Sequence, residues 1–406
     1  MSDLKLTSEQ VNYILSPPAI RAAAKRIFDY AESGKSYFQI NTDKLSSTIK
    51  YVLEVIKKNY PDLNIPFHSR WGHFRVGGID RTIDLNQKLN QFDKLEKARI
   101  KLDLVITSVL LDAGAGAAWS YFEKSSDKSF SRSEGLGVAS FHLFLSGAMS
   151  ADKKTLRADS LGLKSLTKDD ILNYFQVSDK NPLLGVDGRV QLLNNLGQAL
   201  QNAKIFKNNR PGNILDYLIE KHGLVIPATA ILRAVLDGLG PIWPGRLSSG
   251  DINLGDVWKH SKLGTDGLDS LVVFHKLSQW MTYSLIEPIE EAGVQVTGVD
   301  QLTGLAEYRN GGLVIDSGLL TVKDPLNLEK QWTPDSDFII EWRALTIYFL
   351  DIIGHEVQKA LGKTSEEFPL AKVLEGGTWW AGRFLAKEKR ASGEPPVQIK
   401  SDGTVF

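Results

Sequence analysis

The chain has 406 residues, too many for one small core, and 48 Lys plus Arg balance 48 Asp plus Glu to a formal net charge of zero. That balance excludes a general nucleic-acid or anionic-membrane binder, which carries a basic excess, while 42% hydrophobic and 24% charged residues describe a folded chain rather than a disordered one. With no cysteine, disulfides, thiolate catalysis and Cys-based metal sites drop out, and nine tryptophans supply a large stacking and packing surface.

Met1 to Gln10 is polar and has no apolar signal core. The longest apolar stretches, such as Leu104 to Leu111, are far short of the roughly 20 residues of a membrane span, so a soluble, cytoplasmic protein is expected. The first predicted helix starts at Ser16-Pro17-Pro18, where proline suits the first turn, and stops near Gly34. Ile20, Ala23, Ala24, Ile27 and Ala31 share one face of it. A second helix is expected from Asp43 to Lys58, ended by Tyr60-Pro61. Residues 66–80 read as a loop that holds His68, Arg70, Trp71, His73, Arg75 and three glycines. Residues 129–137 form a second polar, Gly-bearing loop. Thr167 to Asp170 looks like a cap before Ile171 to Phe175. Leu192, Leu193, Leu196, Leu200 and Ala203 mark a further helix.

Residues 240–260 are again a loop, with Trp243, Pro244, Arg246 and Trp258. Long helices are predicted over 270–287 and 336–361, the latter with Phe338, Trp342, Leu345, Phe349, Ile352 and Ile353 as a broad buried stripe. Short strands are predicted at 313–315 and 319–322, paired around Gly318, and at 397–399. Residues 304–312 and 375–383 read as Gly-rich loops with charged and aromatic residues, a composition that surrounds sites more often than it fills cores. Nothing demands a doubly wound sheet. The expected fold is mainly α: a single large helical domain over 1–406, with 1–165 and 166–406 as candidate subdomains and a few short strands.

Several familiar motifs fail. Gly34-Lys35-Ser36 lacks the upstream glycine of a phosphate loop, because Asp29 stands there. Gly114-Ala115-Gly116 has Trp119 where a dinucleotide-binding turn needs its third glycine. His355-Glu356 has Lys359 in place of the second histidine of a zinc helix. His68 and His73 lie beside Arg70 and Arg75, which disfavour a bound cation; an anion or polyol contact, or a hydrogen-bonded loop, remains. No metal and no cofactor is expected. Leu184 to Arg189 has the chemistry of a helix-hairpin-helix turn, yet the neutral charge argues against DNA as its ligand. Glu307 and Asp316 lie nine positions apart across Gly311-Gly312, and a turn there brings both to one pocket; the alternative is that either pairs with Arg309.

Longer strings carry a family resemblance. They include His68-Ser69-Arg70-Trp71-x-His73-Phe74, the run from Leu110 to Gly116, Arg132-Ser133-Glu134-Gly135-Leu136 and Ile242-Trp243-Pro244-Gly245-Arg246. Further on come Phe274-His275-Lys276-Leu277-Ser278-Gln279-Trp280, Glu307-Tyr308-Arg309-Asn310-Gly311-Gly312, Glu341-Trp342-Arg343, Glu375-Gly376-Gly377-Thr378-Trp379 and the terminal Ser401 to Phe406. On these the chain resembles the uracil catabolism protein 4 family of the non-reductive uracil-degradation pathway. Ala306 departs from the proline expected there. Ala306-Glu307-Tyr308-Arg309 is also similar to the Ala-Asp-Tyr-Arg segment of queuosine-salvage nucleosidases, all-α proteins related in fold to helix-hairpin-helix glycosylases.

The resemblance implies a hydrolase that cleaves the N-glycosidic bond of a ribosylurea-type intermediate and releases urea. In that reading Glu307 stabilises oxocarbenium charge and activates water, and Asp316 orients the water or a ribose hydroxyl. Arg309 and Asn310 position the substrate. His68, Arg70 and His73 hold a ribose hydroxyl or a phosphate, joined by Arg246, while Trp71 and Trp243 wall the pocket. His275 is the candidate acid for the leaving urea, against the alternative of a packed helix histidine. The implied partner is a small ribosyl substrate, not nucleic acid or membrane. An amidohydrolase or isomerase acting on the urea part, or a non-catalytic pathway partner, are the competing readings.

Overall fold

Ser16 and the Pro17-Pro18 pair do open a helix, Pro17–Glu32, and the predicted face from Ile20 to Ala31 is buried. The computed structural model describes residues 2–400 apart from Ala113, Ala117, Pro244, Gly245, Thr265 and Asp266. Its architecture is mainly α, and among the described residues no sheet exceeds three strands. No described helix is long and apolar enough to cross a membrane. The chain divides into two compact units, one built from residues 1–68, 245–279 and 298–405, the other from 69–244 and 280–297.

The first unit is organised by the helix Asp337–Leu361, which ends at Gly362 in the left-handed region, φ 64°. Every residue from Phe338 to Ile347 is buried, so the helix has no wet face there and its polar members need partners. Glu341 accepts from the Ser36 hydroxyl and the Tyr37 N–H, and its other oxygen lies 3.0 Å from His260 Nε2. Arg343 makes a two-point ion pair with Asp256 at 2.9 and 2.7 Å. The helix packs along Pro17–Glu32, where Phe28 stacks on Tyr348 and Arg21 reaches Asp351 at 2.9 Å.

Two strand expectations change. Residues 313–315 belong to a helix, and Leu320–Val322 pairs antiparallel with Phe38–Ile40 instead. Gln398–Ile399 does pair, in parallel with Gln331–Trp332. The predicted helix over 270–287 starts later, at Lys276, because Leu271–Val273 is a strand paired with Val257–Lys259; it runs to Glu291.

The second unit is built on the helix Lys94–Leu110, capped by Asp93, whose side chain accepts the Glu96 N–H. It contains the apolar run from Leu104, and its one buried carboxylate, Asp103, takes Arg210 Nε at 2.6 Å and the Gly212 N–H at 2.7 Å. Thr167 and Asp170 form the expected capping box. The predicted loop at 66–80 contains the short helix Arg70–Phe74, and residues 129–137 contain the start of the helix Arg132–Leu145. The turn at Leu184 leads through Gly185, φ 71°, into the helix Val186–Ala199, and Arg189 turns back to bond the carbonyls of Leu184, Leu111 and Gly114. A buried network joins Arg81 to Glu123 at 2.6 Å through two nitrogens, with His142 and Ser126 on the same carboxylate.

Candidate active site

The segment that begins at Glu307 is helical. Glu307 caps Tyr308–Asp316 with extended backbone, and its carboxylate accepts the Arg309 N–H at 2.8 Å and the Asn310 N–H at 2.5 Å. A cap of this kind is worth about 1 kcal/mol, and it fixes a half-exposed carboxylate at the positive end of a helix. Gly311 and Gly312 lie inside the helix rather than in a turn. A Cβ on Gly311 would meet the Trp342 indole at 2.5 Å, and Trp342 Nε1 donates to the Gly311 carbonyl at 2.9 Å.

This corrects the shared pocket expected for Glu307 and Asp316. Nine residues at 1.5 Å each separate the two carboxylates by roughly 13 Å along the helix. Asp316 is instead buried against Arg390, which reaches its two oxygens at 2.8 and 2.5 Å. The Arg309 guanidinium donates to the Gly393 carbonyl at 2.8 Å. Asn310 is fully buried; its amide donates to Leu305 O at 3.1 Å and accepts from Thr378 Oγ1 at 2.8 Å, which commits it to holding structure.

That last bond leads to a π-helical turn, Leu374–Thr378, set between the helices Leu370–Val373 and Trp379–Lys389. Single π turns inside helices recur at functional sites, because the wider turn re-aims a side chain. The residue re-aimed here is Glu375. Its Oε2 lies 2.7 Å from Nδ1 of His68, whose backbone N–H is tied to Ala371 O at 3.1 Å. The Tyr60 phenol lies near the same carboxylate; burial, and then that negative charge, push its pKa up to about 12. The Trp379 ring stands 6.1 Å from the His68 ring, with the Arg383 guanidinium 5.3 Å from Trp379 on the same helix. Gly382 allows this helix to touch the Glu307 helix backbone to backbone: a Cβ there would sit 2.0 Å from the Arg309 carbonyl oxygen.

His68, Glu307, Asn310, Glu375 and Trp379 are therefore parts of one unit, joined through Thr378 and Asn310. Glu375 was not among the residues singled out from the sequence. Its signal was present as the string Glu375-Gly376-Gly377-Thr378-Trp379, but two adjacent glycines read as a loop and not as a widened helical turn.

The other expected members differ. His275 is buried at φ 48°, where only glycine and a few polar residues sit easily, and its Nε2 donates to the Ile14 carbonyl at 3.0 Å. Its Nδ1 is sealed and has no partner among the described residues. Burial lowers its pKa, which favours the neutral ring, so the packed-histidine alternative describes it and the role of accessible acid does not. Arg246 is half-buried with its guanidinium 4.8 Å from the Trp258 ring.

In the second unit, Arg70 is wholly buried. It donates to Ser108 Oγ and Asp112 Oδ1, both at 2.7 Å, and to the carbonyls of Ser108 and Ser133. These bonds consume the guanidinium, so it holds the protein together and has no face left for a phosphate. Trp71 is core, not a pocket wall: its indole donates to Ser284 O at 2.8 Å and meets Phe74 edge-on. His73 is half-buried, 3.2 Å from Arg70 Nη1 and edge-on to Trp280. Trp243 is half-buried just past the turn Gly240–Ile242. Ala113, Pro244, Gly245 and the terminal string 401–406 lie outside the described residues. Among the described residues, no group of three or more His, Asp or Glu is placed to hold a metal.

Known proteins resemble this chain over nearly its whole length. The family model described as "Protein of unknown function (DUF1688)" matches residues 13–406. "Uracil catabolism protein 4" of Lachancea kluyveri is 39% identical over 436 residues, which covers 98% of this chain and 99% of that protein. "Protein urg3" of Schizosaccharomyces pombe is 38% identical over 411 residues, covering 99% and 100%.

Proposed function

Because this chain belongs to the family described as "Protein of unknown function (DUF1688)", and a relative of nearly equal length is named for uracil catabolism, we propose that it acts in uracil catabolism as an N-ribosyl hydrolase that splits a ribosylurea-type intermediate into ribose and urea. The observation that carries the reading is the Glu307 carboxylate, fixed by two backbone N–H groups, in the same unit as the His68–Glu375 pair. Breaking a bond from C1′ to nitrogen develops positive charge on the ribose ring, and a fixed carboxylate stabilises that charge without having to reorganise. The same group receives the proton of the attacking water. Trp379 supplies an apolar wall beside His68.

Asp316 and His275, spent on Arg390 and Ile14, are not needed in this scheme. The test is incubation of the purified protein with ribosylurea and, separately, its 5′-phosphate, with urea and the freed sugar both measured. Urea together with ribose or ribose phosphate supports the reading. Ammonia without urea, or no turnover of either compound, refutes it. Glu307→Gln keeps one of the two backbone N–H contacts, since its amide nitrogen cannot accept the other, and is expected to lose urea release while remaining folded.

A further inference from the structure

Departure of urea from C1′ leaves an electron pair on a nitrogen that is a poor leaving group unless it is protonated as the bond breaks. Glu307 stabilises the ring and accepts a proton, so a separate donor is required. We infer that His68, oriented by Glu375, is the general acid that protonates the departing nitrogen; this rests on the hydrolase reading above. A carboxylate can only accept, so the 2.7 Å contact places a proton on His68 Nδ1 and fixes the ring in one orientation. The other ring nitrogen, Nε2, has no hydrogen-bond partner among the described residues and is not among their sealed polar atoms. It therefore faces outward from a side chain that is only 11% exposed. The helix that follows the π turn carries Trp379, whose ring stands 6.1 Å from the imidazole.

The atoms balance in one turnover. The C1′–N bond breaks and its electron pair takes the Nε2 proton of the doubly protonated His68 ring, which keeps its Nδ1–H toward Glu375, giving urea. Water adds its oxygen to C1′, and the proton it sheds passes to Glu307 and then to solvent. Solvent returns a proton to His68. No oxidant or metal is consumed.

The experiment compares two leaving groups in the full-length protein. Ribosylurea needs an acid; 4-nitrophenyl β-ribofuranoside releases a phenolate that does not. His68→Ala is expected to lower kcat/KM for ribosylurea by about 100-fold or more and for the aryl riboside by less than about 5-fold. Glu375→Gln, acting through orientation alone, is expected to lower the first by about 10-fold and spare the second. Equal losses on both substrates, or no loss on ribosylurea, overturn the assignment. If wild-type protein does not take the aryl riboside, added imidazole decides: recovery of urea release by His68→Ala supports the donor role, and no recovery overturns it. If His68→Ala does not fold, His68→Gln, which keeps an amide donor toward Glu375, replaces it. Wild-type protein that releases neither urea nor nitrophenolate sinks the hydrolase reading itself, an outcome distinct from failure of the acid.

Discussion

Asp316 and Arg390 form a two-point ion pair, Oδ1 to Nη1 and Oδ2 to Nη2, with the carboxylate nearly sealed and the guanidinium partly open. The pair joins the end of the Glu307 helix to the residue just past Trp379–Lys389. Removing one partner leaves the other poorly compensated, so Asp316→Asn is expected to cost about 2–4 kcal/mol and to lower the melting temperature. Turnover per folded molecule stays near wild type. Glu307→Gln shows the opposite pattern, with a small loss of stability and a large loss of turnover. A comparison of the two variants by calorimetry and urea release checks this; an inactive but fully stable Asp316→Asn would restore Asp316 to the chemistry.

Gly382 faces a backbone oxygen, not a flexible side chain. Gly382→Ala gains helix propensity of up to about 1 kcal/mol, yet must push the Arg309 carbonyl away and is expected to be destabilised by about 2–3 kcal/mol overall. The displacement moves the N–H groups that hold Glu307, so turnover falls as well. Denaturant unfolding and urea release on one sample measure both effects.

His275 occupies a left-handed conformation that asparagine tolerates. His275→Asn is expected to retain urea release within about 5-fold, in contrast to His68→Ala. A loss comparable to that of His68→Ala would show that the buried ring takes part in the reaction.

Glu123 connects stability to pH. Burial raises its pKa, but hydrogen bonds from Arg81, Ser126 and His142 outweigh this and bring it from 4.5 down to about 2. A depressed carboxyl stabilises the fold above its unfolded pKa and loses that contribution as pH falls through the folded one. The contribution is therefore present above pH 4.5 and disappears toward pH 2, roughly 1–2 kcal/mol once solvent screening is allowed for. Glu123→Gln is expected to flatten this part of the acid-unfolding curve, measured by thermal melts between pH 2 and 6.

The helices with strong periodicity and clear punctuation were legible. Ser16-Pro17-Pro18, the Thr167 cap and the stripe from Phe338 to Ile353 each name their element from local chemistry. Two of the departures fall on glycine pairs. Gly311-Gly312 and Gly376-Gly377 read as breakers, whereas tertiary contact made them helix and π turn; Trp342 pressed against Gly311 leaves no local trace. The candidate site was half visible. Glu307 and His68 carried recognisable strings, but the choice between ligand and scaffold depended on partners distant in sequence. Arg70 has the residue type of an anion clamp, but in the fold Ser108 and Asp112 fill it. The two units also leave no mark in composition, because each gathers separated segments.

His68 and Glu375 stand 307 positions apart, and Arg21 and Asp351 330 apart, within the same unit. On a ribosome adding roughly 5–20 residues per second, the first 68 residues wait on the order of 15–60 s for these partners to emerge. During that interval the apolar face from Ile20 to Ala31 has no helix Asp337–Leu361 to cover it. The N-terminal segment thus stays uncovered while most of the second unit, residues 69–244, can begin to fold behind it. A chain released before Glu375 lacks one half of the His68–Glu375 pair and with it the proposed chemistry.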